Sequence, residues 1–340
     1  MRQRIFAARQ TGGNRMNFTA FKDTGNWYKG NIHSHTTNSD GKLRPEQSVK
    51  LYKSYGYNFL CFTEHDRYTD YRKKFNTDDF IIIPGIEASV YFINFKTKSI
   101  EKLHHMNGIL GTSEMQAAAP RGLFKHRQRL IPRIVYKEWN GAEEAERLAE
   151  KLYSHGCLVM YNHPVWSRAE PEEFMHTKNL WALEVFNYNT ENECSLGTDT
   201  RDWDTMLGKN TFILGAATDD NHNSGEFDDA CGGYIMVQAD ELTHDSIVSS
   251  MLKGCFYSSS GPGIYNWGID RNTAWIDCSA CARINFICGG PVGVGRTYLP
   301  DLPGGKIIHA EHRMKGTETY LRIECVDSAG GTAWTNPVMM

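Results

Sequence analysis

The chain lacks a long apolar run and any marked excess of charge. No stretch approaches the roughly 20 apolar residues that a membrane helix needs. The 37 Lys and Arg residues nearly balance the 40 Asp and Glu residues, which gives a formal charge of -3. Such a balance provides no overall attraction to nucleic acid. We therefore expect a cytoplasmic protein with no membrane or nucleic-acid partner, in which any anion is recognised locally.

The nine cysteines lack the pattern of a disulfide framework. Most stand in apolar, strand-like runs, such as those around Cys61 and Cys157, as is typical of buried thiols in a reducing compartment. Cys278 and Cys281 form a single CxxC pair, without a second pair at zinc-ribbon spacing. We interpret these cysteines as structural.

The amino-terminal residues lack acidic side chains. Residues 1–16 hold four arginines but no serine and little amphipathic pattern, which argues against a transit peptide. We expect 1–16 to be a disordered or non-native extension. The 340 residues are enough for a barrel of roughly 250 residues and a small additional module. We predict a metal-binding barrel at 17–260 and a β-rich domain at 261–340.

What the chain does contain is an ordered series of imidazole and carboxylate side chains. These groups are the ligands preferred by Zn, Mn and Fe, and nearly all of them stand where an apolar run ends. The series comprises His33, His35, Asp40, Glu64, His65, Asp66, Glu87, His105, His163, Asp220 and His222. We predict that they form one polynuclear metal site at the mouth of a barrel.

The apolar runs explain how these residues could converge. Buried strands are predicted at 59–63, 81–83, 158–161 and 212–214. Each strand is followed by metal-type residues, and in a parallel α/β barrel the carboxyl ends of the strands share one face. Helices are predicted between strands, one beginning at Pro45 and one covering 142–155. After Cys255, short alternating runs rich in Gly, Ser and Thr predict a small β-sandwich.

The ordered motifs resemble those of the PHP (polymerase and histidinol phosphatase) family of metal-dependent phosphoesterases. They are NIHSHTTNSDG at 31–41, TEHD at 63–66, PGIE at 84–87, HMNG at 105–108, NHP at 162–164 and DDNH at 219–222. The later segments YSSSGP and AWTNP resemble the tail of a bacterial subgroup with a carboxyl-terminal β-rich domain. The resemblance implies an α/β fold, namely a distorted (βα)7 TIM-like barrel with a C-terminal β-sandwich-like domain.

The resemblance also implies two to three divalent metal ions, of Mn, Zn or Fe. The first ion is assigned to His33, His35, Glu87 and Asp220. The second is assigned to Glu87, His105 and His163, and the third to Asp40, His65 and His222. Two choices stay open, because His104 could replace His105 and Asp219 could replace Asp220. Glu64 departs from the aspartate that is more usual before the motif histidine.

We accordingly expect a hydrolase acting on a small phosphomonoester, such as a sugar phosphate or nucleotide. A metal-bridging hydroxide is the expected nucleophile, and Glu87, Asp220 and His222 are the expected catalytic residues. The alternatives are a phosphodiesterase acting on a cyclic or nucleotide diester, a non-catalytic module that retains its metals, and a metallohydrolase of a non-phosphate substrate.

Substrate contacts are predicted near the same mouth. Arg168 follows Pro164 closely, and an Arg fork suits phosphate oxygens. Glu184 and Asn187 end the strand-like run LWALEVFN, where they could orient ligands or substrate. We assign Arg168 and Asn187 to substrate binding. The basic stretch 121–137 is either a further phosphate contact or a solvated segment.

Overall fold

The computed structural model describes residues 16–340. Residues 1–15 of the predicted amino-terminal extension lie outside this part. The helices are α1 (Pro45–Ser54), α2 (Arg72–Phe75), α3 (Ser113–Ala117), α4 (Gly141–Tyr153), α5 (Tyr188–Cys194), α6 (Thr200–Gly208) and α7 (His244–Leu252). The first ten strands are β1 (Met16–Thr19), β2 (Asn26–Asn31), β3 (Phe59–Phe62), β4 (Ile81–Ile93), β5 (Ile100–Leu110), β6 (Arg133–Val135), β7 (Cys157–Tyr161), β8 (Leu180–Asn187), β9 (Leu214–Thr218) and β10 (Tyr234–Ala239). The remaining strands are β11 (Phe256–Ser259), β12 (Ile264–Arg271), β13 (Thr273–Cys281), β14 (Arg283–Cys288), β15 (Arg296–Tyr298), β16 (Ile307–Arg313), β17 (Tyr320–Val326), β18 (Thr332–Thr335) and β19 (Val338–Met339).

The helices form where the sequence predicts them. In α4, the side chain of Asn140 accepts a hydrogen bond from the backbone N–H of Glu143 at 3.3 Å and so caps the first turn. Leu148 and Leu152 lie on the face that packs into the core. Pro45 opens α1, and Gly56 follows it with φ of +75°, a conformation that glycine adopts without strain.

The fold is mixed α/β, with one large sheet and one small sheet. The large sheet runs in the order β15-β14-β17-β18-β11-β10-β2-β3-β4-β5-β7-β8-β9, with β19 beside β17 and β6 beside β4. The small sheet has the order β1-β12-β13-β16. Strand β11 pairs with β10 on one side and β18 on the other, so the large sheet continues beyond residue 260. The proposed domain boundary therefore lies within a continuous sheet.

The expectation of a uniformly parallel sheet is wrong at β5. Strands β2, β3 and β4 are parallel neighbours, as are β7, β8 and β9, but β5 is antiparallel to both β4 and β7. The connection from β4 to β5 spans only residues 94–99. A parallel crossover needs a dozen or more residues, so the chain returns as a hairpin instead.

Backbone hydrogen bonds also join the segments that follow β2 and β9. The N–H of Asp220 donates to the carbonyl of His33 at 3.0 Å, and the N–H of His35 donates to the carbonyl of Asn221 at 3.1 Å. Ser34 and Asn221 form a parallel bridge at the same place. We call this junction of 33–35 with 220–221 the seam. It brings the first and last of the seven strands β2, β3, β4, β5, β7, β8 and β9 together.

No helix within residues 16–340 combines the length and the apolar character needed to cross a membrane.

Candidate metal centre

Glu87 lies at the centre of the predicted ligands. Its side chain is on β4, is fully buried, and has ring nitrogens of five histidines around its two oxygens. The distances are 2.7 Å to His65, 3.0 Å to His105, 3.3 Å to His33, 3.5 Å to His35 and 3.5 Å to His163. Burial opposes ionisation of Glu87, but the surrounding histidines, His105 foremost, hold its pKa well below the usual value.

Asp220 forms a second point of convergence. Its Oδ1 lies 3.0 Å from Nε2 of His33 and 2.9 Å from Nε2 of His35, while Oδ2 lies 3.8 Å from Nε2 of His163. Burial disfavours its charge, yet His33 foremost holds the pKa of Asp220 well below its ordinary range. Both histidines of the HxH motif therefore point to the same carboxylate oxygen, as their two-residue spacing predicts.

Asp40 gathers an outer group that is open to solvent. Its oxygens lie 3.4 Å from Nε2 of His222, 3.4 Å from Nε2 of His65 and 3.9 Å from Nδ1 of His35. The Asp40 side chain is 53% exposed, whereas those of His33, His35 and Glu87 are fully buried. His65 has one ring nitrogen toward Glu87 and the other toward Asp40. This imidazole therefore links the buried and open parts of the site.

The ligand atoms fall into four overlapping groups. Within each group, all atoms lie within 4.8 Å of one another. The groups are His33, His35 and Glu87; His35, Asp40, His65 and His222; His65, Glu87 and His105; and His33, His163 and Asp220. The third predicted ligand set falls within one group, with His35 added. The first set is divided, because Asp220 is grouped with His33 and His163 and not with His35 and Glu87. His105 and His163 of the second set both face Glu87 but belong to different groups.

The donor atoms fit resident metal ions. His33 Nε2, His35 Nε2, Glu87 Oε2 and Asp220 Oδ1 are buried and have no hydrogen-bond partner among residues 16–340. Buried polar atoms are normally hydrogen bonded, and these four face one another across the short distances given above. Nitrogen and oxygen donors in this arrangement suit Zn, Mn or Fe.

Several residues around the cluster hold its ligands in place. Glu184 accepts hydrogen bonds from Nδ1 of His33 at 2.7 Å and from the backbone N–H of His163 at 2.9 Å. Asn162 donates to Oε1 of Glu87 at 2.8 Å. Carboxylates and amides in these positions fix the orientation and tautomer of metal ligands. The sequence indicated Glu184 by its place at a strand end, but no pattern marked Asn162 for this role.

The side chain of Asn187 makes its hydrogen bonds to other residues of the protein. It is fully buried, and its amide donates to Oδ2 of Asp220 and to Oε2 of Glu184, both at 3.0 Å. Its oxygen accepts the backbone N–H of Thr190 at 2.9 Å. These contacts support a role in positioning Asp220, whereas the predicted contact between Asn187 and substrate remains a proposal.

The structure shows which member of each ambiguous pair, His104 or His105 and Asp219 or Asp220, faces the cluster. His104 stacks on Trp139 and bonds to Tyr161 and to the carbonyl of Gly141, on the side of β5 away from Glu87. His105 faces Glu87. Asp219 accepts the backbone N–H groups of residues 231–233 instead of facing the histidines. His105 and Asp220 are therefore the members of each pair that join the cluster.

Glu64 shapes the loop between His35 and Asp40. It accepts the backbone N–H of Thr36 at 3.0 Å and the hydroxyl of Ser39 at 2.6 Å. The side chains of Thr36 and Asn38 also bond to it. The departure from aspartate thus leaves Glu64 with a positioning role, because its contacts determine where the Asp40 loop runs.

The backbone is strained where the loops turn into the site. His163 has φ of +27° and Asp220 has φ of +55°, values that residues other than glycine rarely adopt. Such conformations cost roughly 1–3 kcal/mol each and persist where the surroundings hold them. Here Glu184 fixes the backbone of His163, and Asn187 fixes the side chain of Asp220, through the hydrogen bonds described above.

The basic residues near the mouth differ in their contacts. Arg168 is exposed, and its guanidinium donates to the carbonyl of Val165 at 3.3 Å. The backbones of Arg67 and Arg129 form an antiparallel β-bridge, beside which the N–H of Leu130 donates to the carbonyl of Asp66 at 2.8 Å. Arg67 lies two residues after His65. This pairing places part of the 121–137 stretch beside the site, which spacing alone could not reveal.

Other members of the stretch serve the fold. The Nε of Arg133 lies 2.6 Å from Glu144 on α4, which is a salt bridge away from the cluster. The backbone N–H of Arg121 donates to the carbonyl of Ser154 at the end of α4. These contacts serve the fold, and a phosphate contact by other residues of the stretch stays a prediction.

Replacing Asn187 with Ala distinguishes positioning from substrate binding. We expect kcat to fall at least tenfold with little change in KM, because the variant loses amide hydrogen bonds to charged carboxylates, each worth about 1.5–3 kcal/mol. Asn192→Ala is the matched control, since Asn192 is exposed on α5, where its amide donates to the carbonyl of Asp228 and its side chain also bonds to Tyr188. Steady-state kinetics test this, and a rise in KM at constant kcat would favour substrate contact.

No family model and no curated protein matches the chain. A solved two-domain protein from Bacteroides vulgatus, described as containing a predicted PHP-like metal-dependent phosphoesterase, is similar over 94% of this chain and 95% of its own, with 15% identity and a TM-score of 0.43. A putative metal-dependent phosphoesterase from Bifidobacterium adolescentis is similar over 66% of this chain and 95% of its own, with 13% identity and a TM-score of 0.37. The chain thus resembles solved structures described as metal-dependent phosphoesterases, of which the first is described as PHP-like.

Proposed function

We propose that the protein is a metal-dependent phosphoesterase of the PHP type that hydrolyses a small phosphomonoester. The observation that carries the proposal is the cluster of buried, mutually facing imidazole and carboxylate groups around Glu87 and Asp220. Four of its atoms, namely His33 Nε2, His35 Nε2, Glu87 Oε2 and Asp220 Oδ1, lack hydrogen-bond partners within the described chain. A structural core would pair such atoms.

The same proposal includes the barrel. Seven strands, β2, β3, β4, β5, β7, β8 and β9, would form a distorted barrel whose ends meet at the seam. The reversed direction of β5 is one source of the distortion. Residues 261–340 would form a β-sandwich-like domain in which the small sheet packs on β14 and β17.

The proposed ligands divide by their exposure. His33, His35, Glu87, His105, His163 and Asp220 would hold the buried ions, and Asp40, His65 and His222 would hold the outer one. When bound, such ions polarise phosphoryl oxygens and lower the pKa of water. Glu87 and Asp220 offset part of the cationic charge, and neutral histidines add none of their own near an anionic substrate.

The exposure of the site sets the direction of substrate approach. Asp40 is 53% exposed, and the side chains of His65 and His222 are 26% and 25% exposed. The ligands around Asp220 are buried. We therefore place the phosphate between the outer group and the buried group, with Arg168, Arg67 and Arg129 as candidate contacts around the entrance.

A terminal phosphate should be the preferred substrate. Its extra charge and oxygens can engage more cations than an internal diester can, so kcat/KM for phosphomonoesters should exceed that for diesters. Arg168→Ala should weaken monoester hydrolysis more than diester hydrolysis. Arg147→Ala is the control, because Arg147 pairs with Glu143 on the surface of α4.

The test is a screen of the Mn-loaded protein against sugar phosphates, nucleotides, cyclic nucleotides and other diesters. Clear preference for diesters across several leaving groups would replace the monoesterase proposal with a phosphodiesterase. Stoichiometric metal without hydrolysis of any ester would instead favour a binding module.

A further inference from the structure

Three buried cysteines gather in the carboxyl-terminal part of the fold. Cys278 and Cys281 lie on β13 in the small sheet, and Cys325 lies on β17 in the large sheet. Their exposed fractions are 1%, 0% and 0%. The three Sγ atoms all lie within 4.8 Å of one another, and those of Cys278 and Cys281 are 3.9 Å apart. The cluster therefore spans the space between two sheets.

A local irregularity makes this arrangement possible. Residues three apart on a regular strand point to opposite faces, so Cys278 and Cys281 would normally diverge. The pairing of β13 with β16 shifts register between Asp277 and Cys281. This break lets both thiols face Cys325, and a sequence pattern that assumes regular strands cannot reveal it.

The spacing suits sulfur ligands of a single ion. Two thiolates on a tetrahedral zinc, each at about 2.3 Å, are separated by about 3.8 Å. The 3.9 Å between Cys278 and Cys281 is close to that separation. In residues 16–340 no His, Asp or Glu joins the group, so the donors are sulfur only. Thiolates select soft ions such as Zn²⁺ and Cu⁺.

The three thiols contact one another. The thiol of Cys278 donates to the sulfur of Cys281. A thiolate is the form that coordinates metal, so binding of an ion deprotonates these thiols. The cluster lies apart from the Glu87 site, in the apolar core that includes Trp267, Ile276 and Ile323.

We propose that Cys278, Cys281 and Cys325 bind one soft metal ion that cross-links the two sheets of the carboxyl-terminal region. Binding replaces the thiol protons, which are released to water, and no electron is transferred. The ion would stabilise the folded protein, because a site built from two sheets does not exist in the unfolded chain. The inference does not rest on the proposed phosphoesterase activity.

Cadmium is the probe, because sulfur-to-cadmium charge-transfer absorption reports thiolate ligands and is not given by the imidazoles and carboxylates around Glu87. The reduced, full-length protein should develop this ultraviolet band with saturation at one equivalent of thiolate-bound Cd²⁺ per chain. The triple variant C278A/C281A/C325A should lose the band. Cys288→Ala should keep it, because Cys288 is a half-buried cysteine on β14 outside the group.

The Cd²⁺ titration of the unchanged protein tests the proposed site even if the variants fold poorly. Absence of the band at saturating Cd²⁺ overturns the proposal, as does a Cys278–Cys281 disulfide found by mass spectrometry of protein isolated without reductant. A band that persists in the folded triple variant also overturns it. The rise in thermal midpoint on addition of Zn²⁺ should be larger in the unchanged protein than in the C325A variant, since Zn²⁺ can also replace Mn²⁺ at the Glu87 site in both.

Discussion

Glu87→Gln should lower kcat/KM for the best phosphomonoester by roughly a thousandfold while leaving the fold intact. Five imidazoles face the Glu87 carboxylate, so removal of its charge weakens several metal contacts at once. Loss of charge stabilisation by metal ions amounts to several kcal/mol, and each 1.36 kcal/mol is tenfold in rate. Glutamine keeps the shape of the side chain, so circular dichroism should be unchanged.

A second buried glutamate supplies the matched control. Glu144 is 5% exposed on α4 and bonds to Arg133, away from the metal cluster. Glu144→Gln should keep nearly full activity, even if its thermal midpoint falls. Equal turnover by Glu87→Gln and the unchanged protein would place the chemistry elsewhere. Asp220→Asn should lower kcat/KM by a similar factor to Glu87→Gln, because Oδ1 of Asp220 faces both His33 and His35.

Removal of the metal ions should abolish hydrolysis and lower the thermal stability of the whole chain. Protein grown with Mn should contain about two to three equivalents by elemental analysis, because the ligand groups can fill that many sites. A ligand at a thousand times its Kd adds about 4 kcal/mol to the free energy of unfolding. Chelation should therefore shift the thermal midpoint by several degrees, and Mn should restore both properties.

Asp40→Asn tests whether the outer group holds an ion of its own. Asp40 contacts His35, His65 and His222, and the ligand group that it shares with them contains neither Glu87 nor Asp220. We expect this variant to lose about one equivalent of metal while the buried ions remain. Fewer than one equivalent in the fully loaded, unchanged protein would rule out a polynuclear centre.

The sequence predicted much of this arrangement because most ligands follow apolar runs, although Glu87 and His105 lie within β4 and β5 and not at their ends. The apolar runs before Glu64 and His163 match β3 and β7 closely. The strand predicted at 212–214 overlaps the observed β9 (Leu214–Thr218) only at Leu214, since Gly215, Ala216 and Ala217 are too small to give a strong apolar signal. The direction of β5 and the register break in β13 depend on connections and pairings, which residue patterns do not encode.

The supporting residues were harder to predict than the ligands. Asn162 and Asn187 stand beside predicted ligands, but an asparagine after a strand is usually a turn residue. Only the distances to Glu87 and Asp220 reveal their roles. Cys325 lies 44 positions from Cys281 in the numbering, so sequence spacing could not join it to the CxxC pair.

The backbone hydrogen bonds of the seam should depend on whether metal is bound. The amides of Asp220 and His35 form the hydrogen bonds that join the segments after β2 and β9, and the side chains of the same residues face each other as candidate ligands. Any ion held by those side chains therefore also clamps the junction. Deuterium uptake at these two amides should slow when metal is bound, so amide exchange would monitor filling of the centre without any substrate.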